Sequence, residues 1–203
     1  GEILRGLLQL RQLCLWQSPD KVKDMDGKHL LSTKIDFLLE TLETIVEEGH
    51  QAIIFSQFTT YLDIIQKEIR DKHHWKVSRI DGSQAMKRRQ KEVDAFQDGT
   101  NRVFLISLKA GGVGLNLTAA SYVFVMDPWW NPAVEAQAID RAHRIGQQNK
   151  LTVYRPIIKG SVEEKVLELQ HMKRELFQDL LQDNDHELFS GKLSMKDFEH
   201  LFD

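Results

Sequence analysis

Residues 102–147 read RVFLISLKAGGVGLNLTAASYVFVMDPWWNPAVEAQAIDRAHRIGQ, and this stretch decides the fold. The apolar run 103–106 is typical of a buried strand, and glycines follow it at once, where a chain can turn tightly or approach a ligand closely. A second apolar run, 122–126, ends at Asp127, and a helical segment that carries Arg141 comes next. A strand, a turn, a strand and a helix in this order indicate an α/β fold with a mainly parallel sheet.

The rest of the chain continues this alternation of strands and helices. Short apolar runs predict three more strands, five in all, at 52–55, 77–80 and 152–158. Amphipathic spacing predicts helices at 2–15, 33–48, 61–69, 84–96, 161–181 and 194–202. Capping boxes are expected at Thr33 with Asp36 and at Ser161 with Glu164.

Length and composition exclude several classes of protein. A chain of 203 residues fits one domain with appendages, and no apolar run approaches the roughly 20 residues that cross a bilayer. A net charge of −3 is not typical of a general nucleic-acid binder, so any such surface must be local. The single Cys14 excludes an internal disulfide and fits a reducing compartment. The chain starts at Gly1 with helix-like sequence, and we expect it to be an excised fragment.

The glycines at 111, 112 and 114 do not match the standard phosphate-binding patterns. Their spacing fits neither the phosphate loop GxxxxGK[ST] nor the dinucleotide pattern GxGxxG. A dinucleotide fold would also place such a loop after its first strand, whereas two predicted strands precede this one. A tight turn without a ligand and a loop beside a nucleotide are both compatible with these glycines.

Arg141 and Arg144 are candidates for binding an anion. A helix through both would place them on one face, exposed and within reach of the same phosphate. Arginine suits that task because its planar fork pairs with two oxygens, and His143 and Gln147 add further polar donors. The alternative is an ordinary solvated helix face.

Trp129 and Trp130 are adjacent in a predicted loop. Two neighbouring tryptophans in a loop rarely both become buried, so we expect one in the core and the other as an exposed stacking surface.

A dense basic cluster lies at 87–91 on a predicted helix that follows Ser83. It can form a phosphate-binding surface with the helix N-terminus, or it can be a solvated face. The histidines show no ligand spacing, so the sequence predicts no metal site.

Several stretches together resemble one family, the SWI/SNF-type ATPases of helicase superfamily two. They agree in order and spacing, and the last two are highly specific: 52–58 (AIIFSQF), 79–83 (RIDGS), 107–117 (SLKAGGVGLNL), 127–132 (DPWWNP) and 137–147 (QAIDRAHRIGQ). What is similar is the second of the family's two RecA-like lobes. The resemblance implies that 32–160 form this lobe, that 1–31 lead into it, and that 161–203 pack back toward an absent first lobe.

The resemblance also implies roles for individual residues. Arg141 and Arg144 are similar to arginine fingers that reach the γ-phosphate across the cleft between the lobes. The positions similar to those beside the nucleotide are Gly112, Gly114, Asn116 and Gln137. The positions similar to those along the DNA strand are Ser56, Gln57, Ser83, Arg89, Ser107, Lys109, Trp130 and Asn131.

The function implied is that of the C-terminal motor lobe of an ATP-dependent double-stranded DNA translocase that remodels nucleoprotein. ATP and Mg²⁺ would be used by the full-length protein, whose metal ligands lie in the absent lobe, and we expect none to be bound by this chain alone. The expected partners are double-stranded DNA, the first lobe and a DNA-bound protein complex, with no membrane. The alternative is a non-catalytic nucleic-acid-binding or scaffold module, which would have no need of both arginines. A strand-separating RNA helicase is disfavoured by the loop at 129–132.

The compact form and the predicted terminal helix at 194–202 resemble bacterial members of the family. We therefore expect an intracellular, DNA-associated protein of the bacterial cytoplasm or nucleoid.

Overall fold

The computed structural model describes residues 2–16, 32–82, 84–108, 110, 115–142 and 150–180. The helices are α1 Glu2–Leu15, α2 Thr33–Glu47, α3 Thr59–His73, α4 Met86–Gln97, α5 Pro132–Asp140 and α6 Val162–Leu180. The strands are β1 Ala52–Ser56, β2 Val77–Ile80, β3 Val103–Ser107, β4 Tyr122–Val125 and β5 Thr152–Tyr154. The predicted helix at 194–202 lies outside the described residues.

The five strands form one sheet in the order β2-β3-β1-β4-β5, and every neighbouring pair is parallel. Parallel strands that follow one another need crossover connections, which is why helices separate most of them in the sequence. The prediction of an α/β fold with a parallel sheet and five strands is confirmed.

Helices cover both faces of the sheet because alternate residues of each strand point to opposite sides. In β1, Ala52 and Ile54 join a core with α2 and α3. Ile53 and Phe55 join a second core with α4 and α5. Burial on both faces explains why the strands appear in the sequence as unbroken apolar runs.

Several element ends differ from the prediction, including the end of β5, the start of α2 and the end of α5. Strand β5 stops at Tyr154 rather than continuing to residue 158, because Pro156 has no N–H to donate to a ladder. Helix α2 is capped by Ser32, whose hydroxyl accepts from the Lys34 N–H at 3.2 Å, and not by Thr33. Helix α5 ends at Asp140, so Arg141 follows the helix as its C-cap rather than lying within it.

The second predicted capping box is present in a modified form. The Ser161 hydroxyl accepts from the Glu163 N–H at 3.2 Å. The Glu164 carboxylate reaches back to the Gly160 N–H at 2.8 Å, one residue earlier than in the standard box. These contacts begin α6 at Val162.

Helices α1 and α6 form a third apolar cluster beyond the two faces of the sheet. It consists of Leu7, Trp130, Val166 and Leu169. A buried ion pair between Lys34 and Glu163, at 2.6 Å, joins the starts of α2 and α6 nearby. Helices α1 and α6 are therefore attached to the loop after β4 and to α2.

Candidate functional site

The carboxyl ends of β1 and β4 meet at one edge of the sheet, and the Asp127 side chain joins them. Asp127 is 1% exposed. It accepts from the Ser56 hydroxyl at 2.5 Å and from the Gln57 side-chain Nε2 at 2.6 Å. The Gln57 backbone N–H also points at this carboxylate, 3.3 Å from each of its oxygens. The two strand ends are thus fixed to each other by one side chain.

Arg11 of α1 supplies the positive charge opposite Asp127. It is fully buried, and its Nη2 lies 3.7 Å from Asp127 Oδ1. Nη1 donates to Gln57 Oε1 at 3.1 Å, and Nη2 donates to the Pro128 carbonyl. The guanidinium lies 4.0 Å from the Trp130 ring centroid. We call Arg11, Gln57, Asp127 and Trp130 the edge network.

Burial acts on the protonation of both ions in the edge network. Burial raises the pKa of Asp127, while the Arg11 charge and the hydrogen bonds from Ser56 and Gln57 act in the opposite direction. Burial lowers the pKa of Arg11 to about 10, and Asp127 opposes that change. Arg11 is therefore still a cation at neutral pH.

Sequence reasoning did not identify Arg11 as a functional residue. The pattern that could have revealed it is helical: Leu7, Arg11 and Leu15 are spaced by four and therefore share one face of α1. All three are fully buried. An arginine in the middle of a buried stripe needs partners, because an unpaired buried charge is costly.

The expectation that Trp130 is an exposed stacking surface is wrong for this structure. Trp130 is 9% exposed and packs in the third cluster, whereas Trp129 is only partly buried. The physical reason is the position of α1 and α6, which cover this part of the loop. A separate role for Trp130 toward DNA stays a prediction.

Two of the expected nucleotide-binding positions, Asn116 and Gln137, lie with the expected arginine finger Arg141 at the end of α5. The Leu117 N–H donates to the Arg141 carbonyl at 3.2 Å, which places Asn116 next to Arg141. Arg141 Nε donates to the Gln137 carbonyl at 3.2 Å. Asn116 and Gln137 are exposed, but Arg141 is 8% exposed, so its expected exposure is wrong. Gly112, Gly114 and Arg144 lie outside the described residues.

The expected DNA-binding positions divide into accessible and buried ones. Gln57, Arg89 and Asn131 are each partly exposed. Ser56 and Ser107 are buried at the ends of adjacent strands. Ser83 and Lys109 lie outside the described residues.

Two of the accessible positions also have local structural roles. Asn131 caps α5 by accepting from the Ala133 N–H at 2.9 Å. Arg89 Nη2 donates to the Asp81 carbonyl at 3.4 Å.

Within the described ranges, no group of three or more His, Cys, Asp or Glu side chains could hold a metal ion. Among the same residues, no helix has both the length and the apolar character that crossing a membrane requires.

Known proteins are similar to this chain in both sequence and structure. The family model "Helicase conserved C-terminal domain" matches residues 33–146. The DNA repair protein RAD5A of Arabidopsis thaliana is 45% identical over 163 residues, which are 80% of this chain and 16% of that protein. The DNA repair protein RAD5 of Saccharomyces cerevisiae is 43% identical over 187 residues, which are 86% of this chain and 16% of that protein. The chain thus spans about a sixth of the length of these curated relatives.

Solved structures of the same type superimpose on nearly the whole chain. The C-terminal domain of the Sulfolobus solfataricus SWI2/SNF2 ATPase has a TM-score of 0.69 at 29% identity, over 98% of this chain and 80% of that one. The core of that ATPase in complex with double-stranded DNA has a TM-score of 0.72 at 30% identity, over 98% of this chain and 41% of that one.

These comparisons bear on two of the expectations. The expected bacterial location is wrong, because the curated relatives are DNA repair proteins of plants and yeasts, which point to a nuclear setting. The resemblance to SWI/SNF-type ATPases is confirmed by the matched family and the solved structures. The chain belongs to the helicase conserved C-terminal domain family and is the C-terminal RecA-like lobe of an ATPase of the SWI2/SNF2 type.

Proposed function

We propose that this chain is the second motor lobe of an ATP-dependent double-stranded DNA translocase that acts in DNA repair. The observation that carries the proposal is the grouping of Asn116, Gln137 and Arg141 at the end of α5. Two exposed amides and a guanidinium provide polar donors for a nucleotide and its phosphates. The relatives named as DNA repair proteins, and the solved core with double-stranded DNA, support the substrate.

Arg141 would stabilise the charge that develops on the γ-phosphoryl group of ATP during hydrolysis. That charge spreads over three oxygens, and a cationic side chain from the opposite lobe stabilises it. The Gln137 carbonyl holds Arg141 Nε, and the Leu117 N–H holds the Arg141 backbone. A guanidinium held in place beforehand needs little reorganisation when the charge appears. Arg144, three residues later, is proposed as the second finger.

Magnesium would come with the other lobe. Asn116, Gln137 and Arg141 include no carboxylate, whereas proteins usually bind Mg²⁺ through one or two carboxylates together with substrate phosphates. We therefore propose that ATP and Mg²⁺ are held mainly by the first lobe of the same polypeptide, and that this chain alone binds neither stably.

The DNA track would follow the carboxyl edge of the sheet. Gln57, Arg89 and Asn131 have side chains accessible to a phosphate backbone there, and Ser83 and Lys109 are proposed to extend the track. Ser56 and Ser107 are buried and would support this edge from behind. Phosphate contacts of this kind bind DNA without reading its sequence.

The test uses the full-length protein with Arg141→Ala, Arg144→Ala and the two lysine variants. DNA-stimulated ATP hydrolysis should fall on the order of 10³-fold in all four, because lysine lacks the planar fork. ATP binding, measured with a fluorescent nucleotide, should persist. Arg102→Ala is the matched control, since Arg102 precedes β3 at the opposite end of the strands and bonds the Gly49 carbonyl at 2.7 Å.

The stability of each variant must be measured beside its activity, because Arg141 is mostly buried. Hydrolysis near the wild-type rate in folded alanine variants would refute the finger roles. If only Arg141→Ala unfolds, Arg141 is structural. Arg144 would then be the one proposed arginine finger.

A further inference from the structure

We propose that Arg11 is a positioning residue for DNA binding, which acts by fixing the side-chain amide of Gln57 as a donor at the DNA-facing edge. This inference rests on the proposed function, since it assumes that Gln57 contacts the DNA backbone. It adds Arg11 of α1, a residue to which the sequence resemblance assigned no role.

The amide of Gln57 is held at both of its ends. Arg11 Nη1 donates to Oε1 at 3.1 Å, and Nε2 donates to Asp127 Oδ1 at 2.6 Å. Arginine has no acceptor and an ionised carboxylate has no donor, so this chemistry permits only one orientation of the amide.

That orientation leaves a donor for DNA. Nε2 carries two hydrogens, and within the described residues it donates to Asp127 alone. The Gln57 residue is partly exposed, while its two partners are buried. The second hydrogen can therefore serve a phosphate oxygen at the edge.

Arg11 is needed because Asp127 alone does not secure the orientation. The Arg11 charge is the largest of the influences that lower the pKa of Asp127 against the effect of burial. Without that cation the buried carboxyl binds a proton more readily, and a protonated carboxyl can donate to Oε1 as well as accept from Nε2. The amide could then flip and present its oxygen to the phosphate, which repels it.

Other contacts of Arg11 keep the guanidinium in place. Nη2 donates to the Pro128 carbonyl, and the group packs 4.0 Å from the Trp130 ring centroid and 5.8 Å from that of Phe58. The aromatic faces favour a cation and cannot replace its hydrogen bonds. Arg11 is thus confined to a position from which its fork serves Gln57 and Pro128 together.

The experiment measures DNA-stimulated ATP hydrolysis by the full-length protein as a function of duplex concentration. Gln57→Ala should raise the half-maximal DNA concentration about tenfold, the effect of losing one hydrogen bond to a charged group. Arg11→Met should raise it by a similar factor. The double variant should be no worse than either single variant, because both remove the same contact.

Two conservative variants separate positioning from packing. Arg11→Lys keeps a cation beside Asp127, so its half-maximal DNA concentration should stay within about twofold of the wild type. Arg11→Gln keeps hydrogen-bonding capacity without charge and should behave as Gln57→Ala does. This pair also covers the case in which Arg11→Met does not fold.

Lys34→Met is the control for general destabilisation. Lys34 is a second buried cation, paired with Glu163 at 2.6 Å, and it does not bond Gln57. Its loss should lower the melting temperature as Arg11→Met does, yet leave the half-maximal DNA concentration unchanged.

The outcomes distinguish the inference from the function on which it rests. If Gln57→Ala leaves the DNA dependence unchanged, the proposed DNA contact fails and the inference fails with it. If Gln57→Ala raises the half-maximal DNA concentration but Arg11→Gln does not, Arg11 is structural and only the inference is overturned. The same conclusion follows if the effects of Arg11→Met and Gln57→Ala multiply in the double variant.

Discussion

Trp130→Ala should strongly destabilise this chain. Emptying a buried tryptophan site costs about 3–5 kcal/mol. The cation–π contact with Arg11 at 4.0 Å adds about 1–2 kcal/mol in a desolvated site. At about 2–4 °C per kcal/mol for a chain of this size, the melting temperature should fall by at least about 8 °C.

The assay is thermal and urea unfolding, both followed by far-UV circular dichroism, because fluorescence would change with the removal of a tryptophan. Trp130→Phe should recover most of the loss, since a ring still faces Arg11. Trp75→Ala is the control, because Trp75 is only half-buried and stacks on His73 at 4.3 Å between ring centroids. If Trp130→Ala costs no more than Trp75→Ala, Trp130 is not a core residue and the stacking hypothesis regains support.

Three further predictions use the chain in isolation. It should hydrolyse no ATP above blank, with or without DNA, because the proposed phosphate loop and magnesium ligands belong to the other lobe; turnover by the purified chain would contradict this. Its DNA binding should be weak and independent of sequence, and should weaken steeply with salt in fluorescence anisotropy, because few phosphate contacts are available on a chain of net charge −3. Cys14 should react with iodoacetamide more slowly than a free thiol at pH 8, and its rate should approach that of the free thiol only at higher pH, because burial raises the pKa of its thiol and leaves less thiolate. A rate equal to that of the urea-unfolded chain at pH 8 would contradict this last prediction.

The sheet could be predicted from the sequence because its strands are buried on both faces. The unbroken apolar runs at 52–55 and 103–106 appear directly in the sequence as strands, and the structure has strands there. Where the predicted ends of elements were wrong, a proline or a capping residue a few positions away explains the difference. Pro156 limits β5, and Ser32 caps α2 one residue before the predicted position.

The edge network could not be predicted, because it depends on contacts between residues far apart in the sequence. Arg11 bonds Gln57 and Pro128 across 46 and 117 positions. No local pattern indicates that α1 lies over this edge. The position of α1 also decides which of the two adjacent tryptophans is buried. Residues recognised through the family motifs were found at the edge, yet their burial could not be inferred from the motifs.

The charges buried at this edge are better explained by fixed geometry than by stability. Removing two ions from water offsets most of their mutual attraction, so an apolar replacement of similar shape often leaves a protein equally stable. Asp127 nevertheless bonds the ends of β1 through Ser56 and Gln57, and Arg11 extends the same set of bonds to α1. Apolar side chains would fill the space but would not set the direction of a hydrogen bond.

Polar side chains also connect α6 to separate elements of the lobe. Gln170 donates to Glu135 of α5 at 3.0 Å and to the Trp129 carbonyl, and Glu163 pairs with Lys34 of α2. Glu135 also pairs with Arg155, just beyond β5, at 2.6 Å. A helix held only by Val166 and Leu169 could slide on its apolar contacts, whereas these directional bonds fix its position along the lobe. The described part of α6 should therefore keep its place on the lobe and move with the sheet as one body.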